Sequence, residues 1–125
     1  MHLSAATEVP PQNRPRSGPA AVRVAALDLG SNSFHLFVME IAPDGTEIVL
    51  ARAKEMVRLG QSTLREGVIP DATFERGLSA LRGLKEIALR HHVEAIVAVG
   101  TSALREASNG ESFVRIARAE MGIDI

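Results

Sequence analysis

Three apolar-rich runs follow one another closely in the first half of the chain, over residues 22–29, 34–41 and 46–57. Their length, their β-branched content and the turn residues between them predict three strands. The connections are short, so the strands should form an antiparallel meander. A fourth apolar run at residues 93–99 predicts a strand that lies parallel beside the first, reached by a right-handed crossover.

The crossover is predicted to be a long helix that begins at residue 70 or 71 and ends near His91, after a loop over residues 60–70. A short helical turn carries Arg105, a further helix covers residues 111–121, and a strand begins at Ile123. A central sheet of this kind is covered by helices on both faces, and two substantial helices are too few for that. We therefore expect exposed apolar surface.

Composition narrows the functional classes. The chain has no cysteine, which excludes disulfides and thiolate metal sites and fits a cytoplasmic location. Its formal net charge of -1 gives no broad basic field, and aromatic residues make up only 3% of the chain, so we expect no nucleic-acid partner. No apolar run approaches the length of a membrane span, and we expect no membrane partner.

The first 21 residues differ from the rest of the chain. They are rich in proline and lack the continuous apolar core of a secretory signal. We expect a flexible N-terminal extension over residues 1–21 and a partial phosphate-binding domain over residues 22–125. Arg14, Arg16 and Arg23 form either a solvated tail or a basic lid over an anion site.

The turn between the first two strands has the residues of an anion site. Gly30 permits a positive φ, after which successive N–H groups can converge on one anion, and Ser31, Asn32 and Ser33 add side-chain donors. Asp28 stands beside this turn, where it would repel a phosphate unless a hard cation lay between them, so Mg²⁺ held through water is implied. The alternative is an ordinary β-turn, in which the same residue types are common.

A second candidate phosphate site follows the fourth strand. Thr101 and Ser102 open a helix, whose first N–H groups lack partners, and Arg105 can fork onto phosphate oxygens. The alternative is that Thr101 or Ser102 is a plain N-cap. Arg58 stands at the end of the third strand, and by topology it could face the same cleft and contact phosphate.

Together these segments resemble the Ppx/GppA family of exopolyphosphatases and guanosine pentaphosphate phosphohydrolases. The resemblance is carried by the Asp28–Leu36 block, the Thr101–Gly110 block and Val57-Arg-Leu-Gly60, and it covers roughly residues 23–125. It implies an α/β fold of the actin-like, sugar kinase and Hsp70 ATPase type (RNase H-like), with phosphate held between two domains. It also implies attack of water on phosphoanhydrides, assisted by magnesium and a glutamate base.

The family's Ile-Ser-Gly-x-Glu-Glu-Ala segment, which carries that glutamate, and its Asp-x-Gly-Gly-Gly-Ser loop do not occur in these residues. The glutamate is expected beyond Ile125, so no catalytic residue is expected within residues 1–125, and these residues alone should be inactive. The resemblance implies the N-terminal part of a hydrolase that releases terminal phosphate from polyphosphate or guanosine pentaphosphate, and a homodimer at full length. The alternatives are a non-catalytic binding or regulatory module for these polyphosphates, or an actin-like or sugar kinase ATPase domain.

Overall fold

The computed structural model describes residues 6–8 and 21–125, and within them five strands form one mixed sheet. Its order is β1-β4-β3-β2-β5. The antiparallel meander is confirmed, because β3 pairs antiparallel with both β2 and β4. The parallel strand is also confirmed, since β5 lies beside β2. The strands are β1 (Ala6–Glu8), β2 (Val22–Leu29), β3 (Ser33–Ile41), β4 (Glu47–Met56) and β5 (Ala95–Gly100).

Part of the expected flexible extension belongs to the sheet. Residues 6–8 pair antiparallel with residues 51–53 and add β1 to the outer edge of β4. Residues 1–5 and 9–20, including Arg14 and Arg16, lie outside the described residues.

Arg23, the third arginine weighed for a basic lid, is held inside the fold. Its Nε donates to the buried carboxylate of Glu40 at 3.1 Å, and its Nη1 donates to the carbonyl oxygen of His91 at 3.1 Å. A buried carboxylate needs such a partner, because an unpaired buried charge is strongly destabilising. Arg23 therefore joins β2, β3 and the end of the long helix.

Residues 21–125 form four helices, one of which the sequence analysis did not predict. The prediction of a loop over residues 60–70 is wrong, since a helix begins there at Leu59 and is closed by Gly67 in the left-handed conformation. Sequence patterns missed it because its start has no Ser, Thr, Asp or Asn cap and contains a glycine. The helices are α1 (Leu59–Glu66), α2 (Asp71–Arg90), α3 (Ser102–Glu106) and α4 (Gly110–Met121).

The strand predicted from Ile123 does not form in the described structure. Gly122 adopts a left-handed conformation that ends α4, and the amide of Ile123 donates back to the carbonyl of Ala117 at 3.2 Å. The Ile123 side chain is buried against the core. These last residues therefore act as the C-cap of α4 rather than as a sheet strand.

The core lies between one face of the sheet and the helices. Ala25, Leu27 and Leu29 alternate inward along β2 and are almost fully buried. The Phe113 ring from α4 packs edge-on against Phe34, with ring centroids 6.4 Å apart. This packing fixes the helices over β2 and β3, whose ends carry the candidate site.

The opposite face of the sheet carries no helix among the described elements. Val97 and Val99 of β5 are 60% and 57% exposed there. Phe37 and Met39 of β3 share this face and are half-buried. The expected exposed apolar surface is therefore present on the part of the chain that the structure describes.

Candidate functional site

The candidate site lies at one edge of the sheet, where three strands end together. β2 and β5 are parallel neighbours, and β4 runs in the same direction because β3 is antiparallel to both β2 and β4. The strand order reverses at β2, because β3 and β4 follow it on one side of the sheet and β5 is added on the other. Ligands of open α/β sheets bind outside the carboxyl ends of strands at such a switch point.

The turn after β2 is closed by one backbone hydrogen bond, from the amide of Gly30 to the carbonyl oxygen of Ser33 at 3.0 Å. Gly30 does not use the positive φ that glycine permits, since the positive-φ glycines of the described chain are Gly45, Gly67 and Gly122. Gly30 is needed for a different reason. A Cβ at this position would lie 2.8 Å from the carbonyl oxygen of Ser33, so any side chain would force this turn open.

The segment that follows β4 supports this turn through its backbone. The amides of Val57 and Arg58 both donate to the carbonyl oxygen of Asn32, at 3.0 Å and 2.7 Å. The amide of Gly60 donates to the carbonyl oxygen of Ser31 at 2.9 Å. We call residues 57–60 the brace. The brace is the Val57-Arg-Leu-Gly60 segment, and three hydrogen bonds join it to the predicted phosphate turn.

Arg58 has an unusual backbone conformation within the brace. Its φ of 58° and ψ of 44° are left-handed, a region that non-glycine residues rarely occupy. Its exposed side chain lines a cavity of about 540 Å³ beside the turn. The other lining residues are Ser31, Asn32, Ser33, Met56, Gly60, Gln61 and Leu64. The structure therefore brings Arg58 together with the three polar residues of the turn.

The second motif meets the first at Thr101. The Thr101 amide donates to the carbonyl oxygen of Leu29 at 3.2 Å, and the Ser31 and Thr101 hydroxyls make a long contact of 3.5 Å. Thr101 precedes α3 as its N-cap residue, but its side chain makes no capping hydrogen bond. The plain N-cap alternative for Thr101 is therefore not what the structure shows.

Ser102 and Arg105 belong to α3, which begins directly after Thr101. Ser102 is exposed at the start of α3, and Arg105 lies in the last turn of that five-residue helix. Arg105 lines a second cavity of about 640 Å³, which it shares with Thr101, Arg115 and Arg118 among others. Arg58 and Arg105 therefore line different cavities. The two motifs themselves meet at the Ser31–Thr101 contact.

Asp28 is exposed on the open face of β2, two residues before Gly30. Its register partners are His35 on β3 and Val99 on β5, so no second carboxylate stands directly beside it on those strands. No group of three or more His, Cys, Asp and Glu residues gathers within the described chain. One exposed carboxylate fits Mg²⁺, which keeps several waters and takes few protein ligands.

The end of the second motif has a structural role that sequence reasoning missed. The side-chain amide of Asn109 makes two hydrogen bonds with the backbone of Ile69, accepting from its amide at 2.9 Å and donating to its carbonyl at 2.8 Å. Ser108 also donates its amide to the carbonyl of Gly67 at 2.9 Å. Asn109 thus fixes the α1–α2 loop against the α3–α4 corner, which no local pattern could reveal.

Replacing Asn109 by alanine should lower the free energy of unfolding by about 2–4 kcal/mol, because two part-buried backbone groups lose their partners at about 1–2 kcal/mol each. Urea denaturation measures this loss. Ser108→Ala is the control, since only the backbone of Ser108 makes the neighbouring bond. Equal stability of the two variants would show that the Asn109 bonds contribute nothing.

Comparison with known proteins identifies the family of this chain. The family model described as the Ppx/GppA phosphatase family matches residues 37–125. The chain belongs to the Ppx/GppA phosphatase family. The match includes the brace and the second motif, while the turn at residues 30–33 lies just before it.

Solved Ppx/GppA structures share the fold. The Aquifex aeolicus family member has a TM-score of 0.76 at 28% identity, and the match covers 83% of this chain and 34% of that one. An exopolyphosphatase from Cytophaga hutchinsonii has a TM-score of 0.76 at 32% identity, and the match covers 82% of this chain and 32% of that one. The expected actin-like ATPase-type fold, present in part, is confirmed.

Curated relatives are similar in sequence. A putative exopolyphosphatase of Haemophilus influenzae is 37% identical over 92 residues, which are 74% of this chain and 28% of that protein. Exopolyphosphatase 1 of Mycobacterium tuberculosis is 29% identical over 104 residues, which are 83% of this chain and 30% of that protein. The chain thus spans less than a third of the length of these Ppx/GppA relatives.

Proposed function

We propose that this chain supplies the phosphate-gripping part of a phosphoanhydride hydrolase that releases terminal phosphate from inorganic polyphosphate. The observation that carries the proposal is the convergence of two motifs at one sheet edge, where Ser31 meets Thr101 at 3.5 Å. Relatives named exopolyphosphatases support polyphosphate as the substrate. Guanosine pentaphosphate is the alternative substrate with the same terminal phosphoanhydride.

Each residue of the site has a proposed role. Ser31, Asn32 and Ser33 donate to phosphate oxygens beside Arg58, while Thr101, Ser102 and Arg105 hold phosphates on the other side of the Ser31–Thr101 contact. Charge-assisted hydrogen bonds from arginine are the strongest of these interactions. A linear polyanion that passes this contact would meet both arginines, each at a different phosphate.

Asp28 is the proposed magnesium residue. Its exposed carboxylate would hold a hydrated Mg²⁺ through water, and the ion would neutralise charge on the phosphates. The water that attacks the terminal phosphate needs a general base, which we assign to a glutamate outside residues 1–125. The turn and brace hold the phosphate oxygens during this attack.

Two further properties belong to the proposal. Within the described residues no helix is both long and apolar enough to cross a membrane. We further propose that the reaction takes place in the cytoplasm, which a chain without cysteine fits. We also propose a homodimer for the full-length protein.

Asp28→Asn tests the proposal in the full-length protein, assayed by phosphate release from polyphosphate across magnesium concentrations. The rate should fall because the amide holds the hydrated ion less well, and added magnesium should partly restore it. Asp44→Asn is the control, because Asp44 is exposed in the β3–β4 turn at the far end of the sheet. An asparagine there can still accept the hydrogen bond from the Thr46 amide.

Three results would contradict parts of this proposal. A wild-type protein that hydrolyses neither polyphosphate nor guanosine pentaphosphate would favour a binding module. Preference for the guanosine nucleotide would replace the substrate but keep the chemistry. A magnesium dependence that is identical in Asp28→Asn and the wild type would remove Asp28 from the site.

A further inference from the structure

We infer that Gly60 is a positioning residue for the phosphate turn and acts through the side chain of Ser31. Gly60 is the second residue of α1 and is buried. A Cβ at this position would lie 2.9 Å from the Ser31 Cβ and 3.4 Å from the Ser31 Oγ. The first turn of α1 therefore lies directly against Ser31, and only a glycine fits there.

The hydrogen bonds of the brace determine which way the turn presents its amides. The Ser31 and Asn32 carbonyls both point toward the brace, which donates to them. The described peptide bonds are all trans, and in a trans peptide the N–H points opposite to the carbonyl. The amides of Asn32 and Ser33 are thus directed away from the brace. Gly60 holds one of these two peptide groups through its own amide.

Ser31 is confined from two sides. On one side the Gly60 amide donates to the Ser31 carbonyl oxygen at 2.9 Å, and a Cβ added to Gly60 would lie 2.9 Å from the Ser31 Cβ. On the other side the Thr101 hydroxyl lies 3.5 Å from the Ser31 hydroxyl. The Ser31 Cβ is attached to the backbone and cannot rotate out of the way, unlike the end of a long side chain. An added methyl group at residue 60 must therefore displace Ser31 and the peptide that follows it.

Stability and activity should respond differently to Gly60→Ala. Alanine is favoured over glycine inside a helix, and this gain opposes the cost of the close contact. No gain of this kind offsets the effect of the displaced turn on catalysis, because a misplacement of about 1 Å can lower the rate about a hundredfold. Loss of activity should then exceed what the change in stability explains.

The test measures kcat and KM for polyphosphate in the full-length protein, and its activity readout rests on the proposed function. Gly60→Ala should lower kcat/KM by about ten- to a hundredfold. Gly77→Ala is the matched control. Its methyl group in α2 would lie 3.0 Å from the Phe113 ring and in ordinary contact, at 3.5 Å, with the Val57 side chain, but it would not touch Ser31. This control should leave kcat/KM nearly unchanged, because its methyl group does not displace Ser31.

A double variant shows whether Gly60 acts through Ser31. Ser31→Gly removes both the hydroxyl and the Cβ that a methyl group at residue 60 would touch. In that background Gly60→Ala should cause no further loss of kcat/KM, whereas independent roles would multiply their losses. Multiplied losses, or equal activity in Gly60→Ala and Gly77→Ala, would overturn the inference.

A crystal structure of the full-length Gly60→Ala protein separates this inference from the proposed function. A displaced Ser31 supports the positioning role even if the wild type hydrolyses no polyphosphate. An undisplaced Ser31 overturns it even if the enzyme is active. The failure of the inference and the failure of the proposed function therefore give different results.

Discussion

Replacing Gly110 by alanine is expected to unfold the protein or leave it barely stable. A Cβ at residue 110 would lie 1.8 Å from the carbonyl oxygen of Leu104 and 2.8 Å from its carbonyl carbon. Both are backbone atoms of α3, so neither can rotate away. The overlap can be relieved only by moving α3 and α4 apart, which also breaks the bond from the Gly110 amide to the Ala107 carbonyl at 3.0 Å.

The cost of Gly110→Ala should exceed about 4 kcal/mol, a range that single substitutions reach only through severe strain or a lost core. Thermal and urea denaturation measure it. Gly45→Ala is the control, because Gly45 has a positive φ of 88° but no atom within 4 Å of its added Cβ. It should cost only the backbone strain, about 1–2 kcal/mol.

If Gly110→Ala were no less stable than Gly45→Ala, the close approach of α3 and α4 would be wrong. That result would also weaken the site, because α3 carries Ser102 and Arg105. The glycine at the end of the second motif would then have no structural explanation, although Asn109 would keep its bonds to Ile69. As the structure stands, Asn109 and Gly110 serve the fold, while Thr101 and Ser31 bring the two motifs together.

The sheet could be predicted from sequence because its signals are local. The run at residues 22–29 forms a strand with those same bounds, and short turns fixed the antiparallel order of the meander. The parallel position of β5 followed from the helix that precedes it. The edge strand at residues 6–8 could not be predicted, since it depends on a distant pairing with residues 51–53.

The helix α1 was missed for a related reason. Its start has Arg58 in a left-handed conformation instead of a polar cap, and its inner side is defined by Leu59 and Thr63, which are buried only in the folded chain. Gly60 looks like a loop residue in sequence, yet in three dimensions it is the residue that contacts Ser31. Tertiary contact overrides weak helix propensity here.

The candidate residues could be selected from the sequence, but the backbone contacts that support them could not. The turn residues and Thr101 carry recognisable phosphate-binding patterns, and the structure brings Ser31 and Thr101 together. The three hydrogen bonds from the brace join residues more than twenty positions apart, so no local spacing indicates them. The placement of Arg58 and Arg105 in separate cavities likewise appears only in three dimensions.

Replacing Arg58 by glycine should lower activity while leaving stability unchanged or higher. A non-glycine residue in the left-handed region costs about 1–2 kcal/mol, and the greater freedom of glycine in the unfolded chain offsets about 0.5–1 kcal/mol of the relief. The exposed guanidinium makes no hydrogen bond or ion pair with the described residues. Folding therefore gains nothing evident from the arginine side chain.

If the Arg58 guanidinium holds a phosphate, its loss removes a charge-assisted bond of about 1.5–3 kcal/mol, which is roughly ten- to a hundredfold in kcat/KM. Arg58→Lys should retain part of this activity, because it keeps the charge but loses the forked geometry. Arg65→Ala is the control, an exposed arginine in the last turn of α1 outside the cavity lining. Wild-type kinetics in Arg58→Gly would remove Arg58 from the phosphate site, whereas a stability gain with lost activity would explain why a strained arginine is kept there.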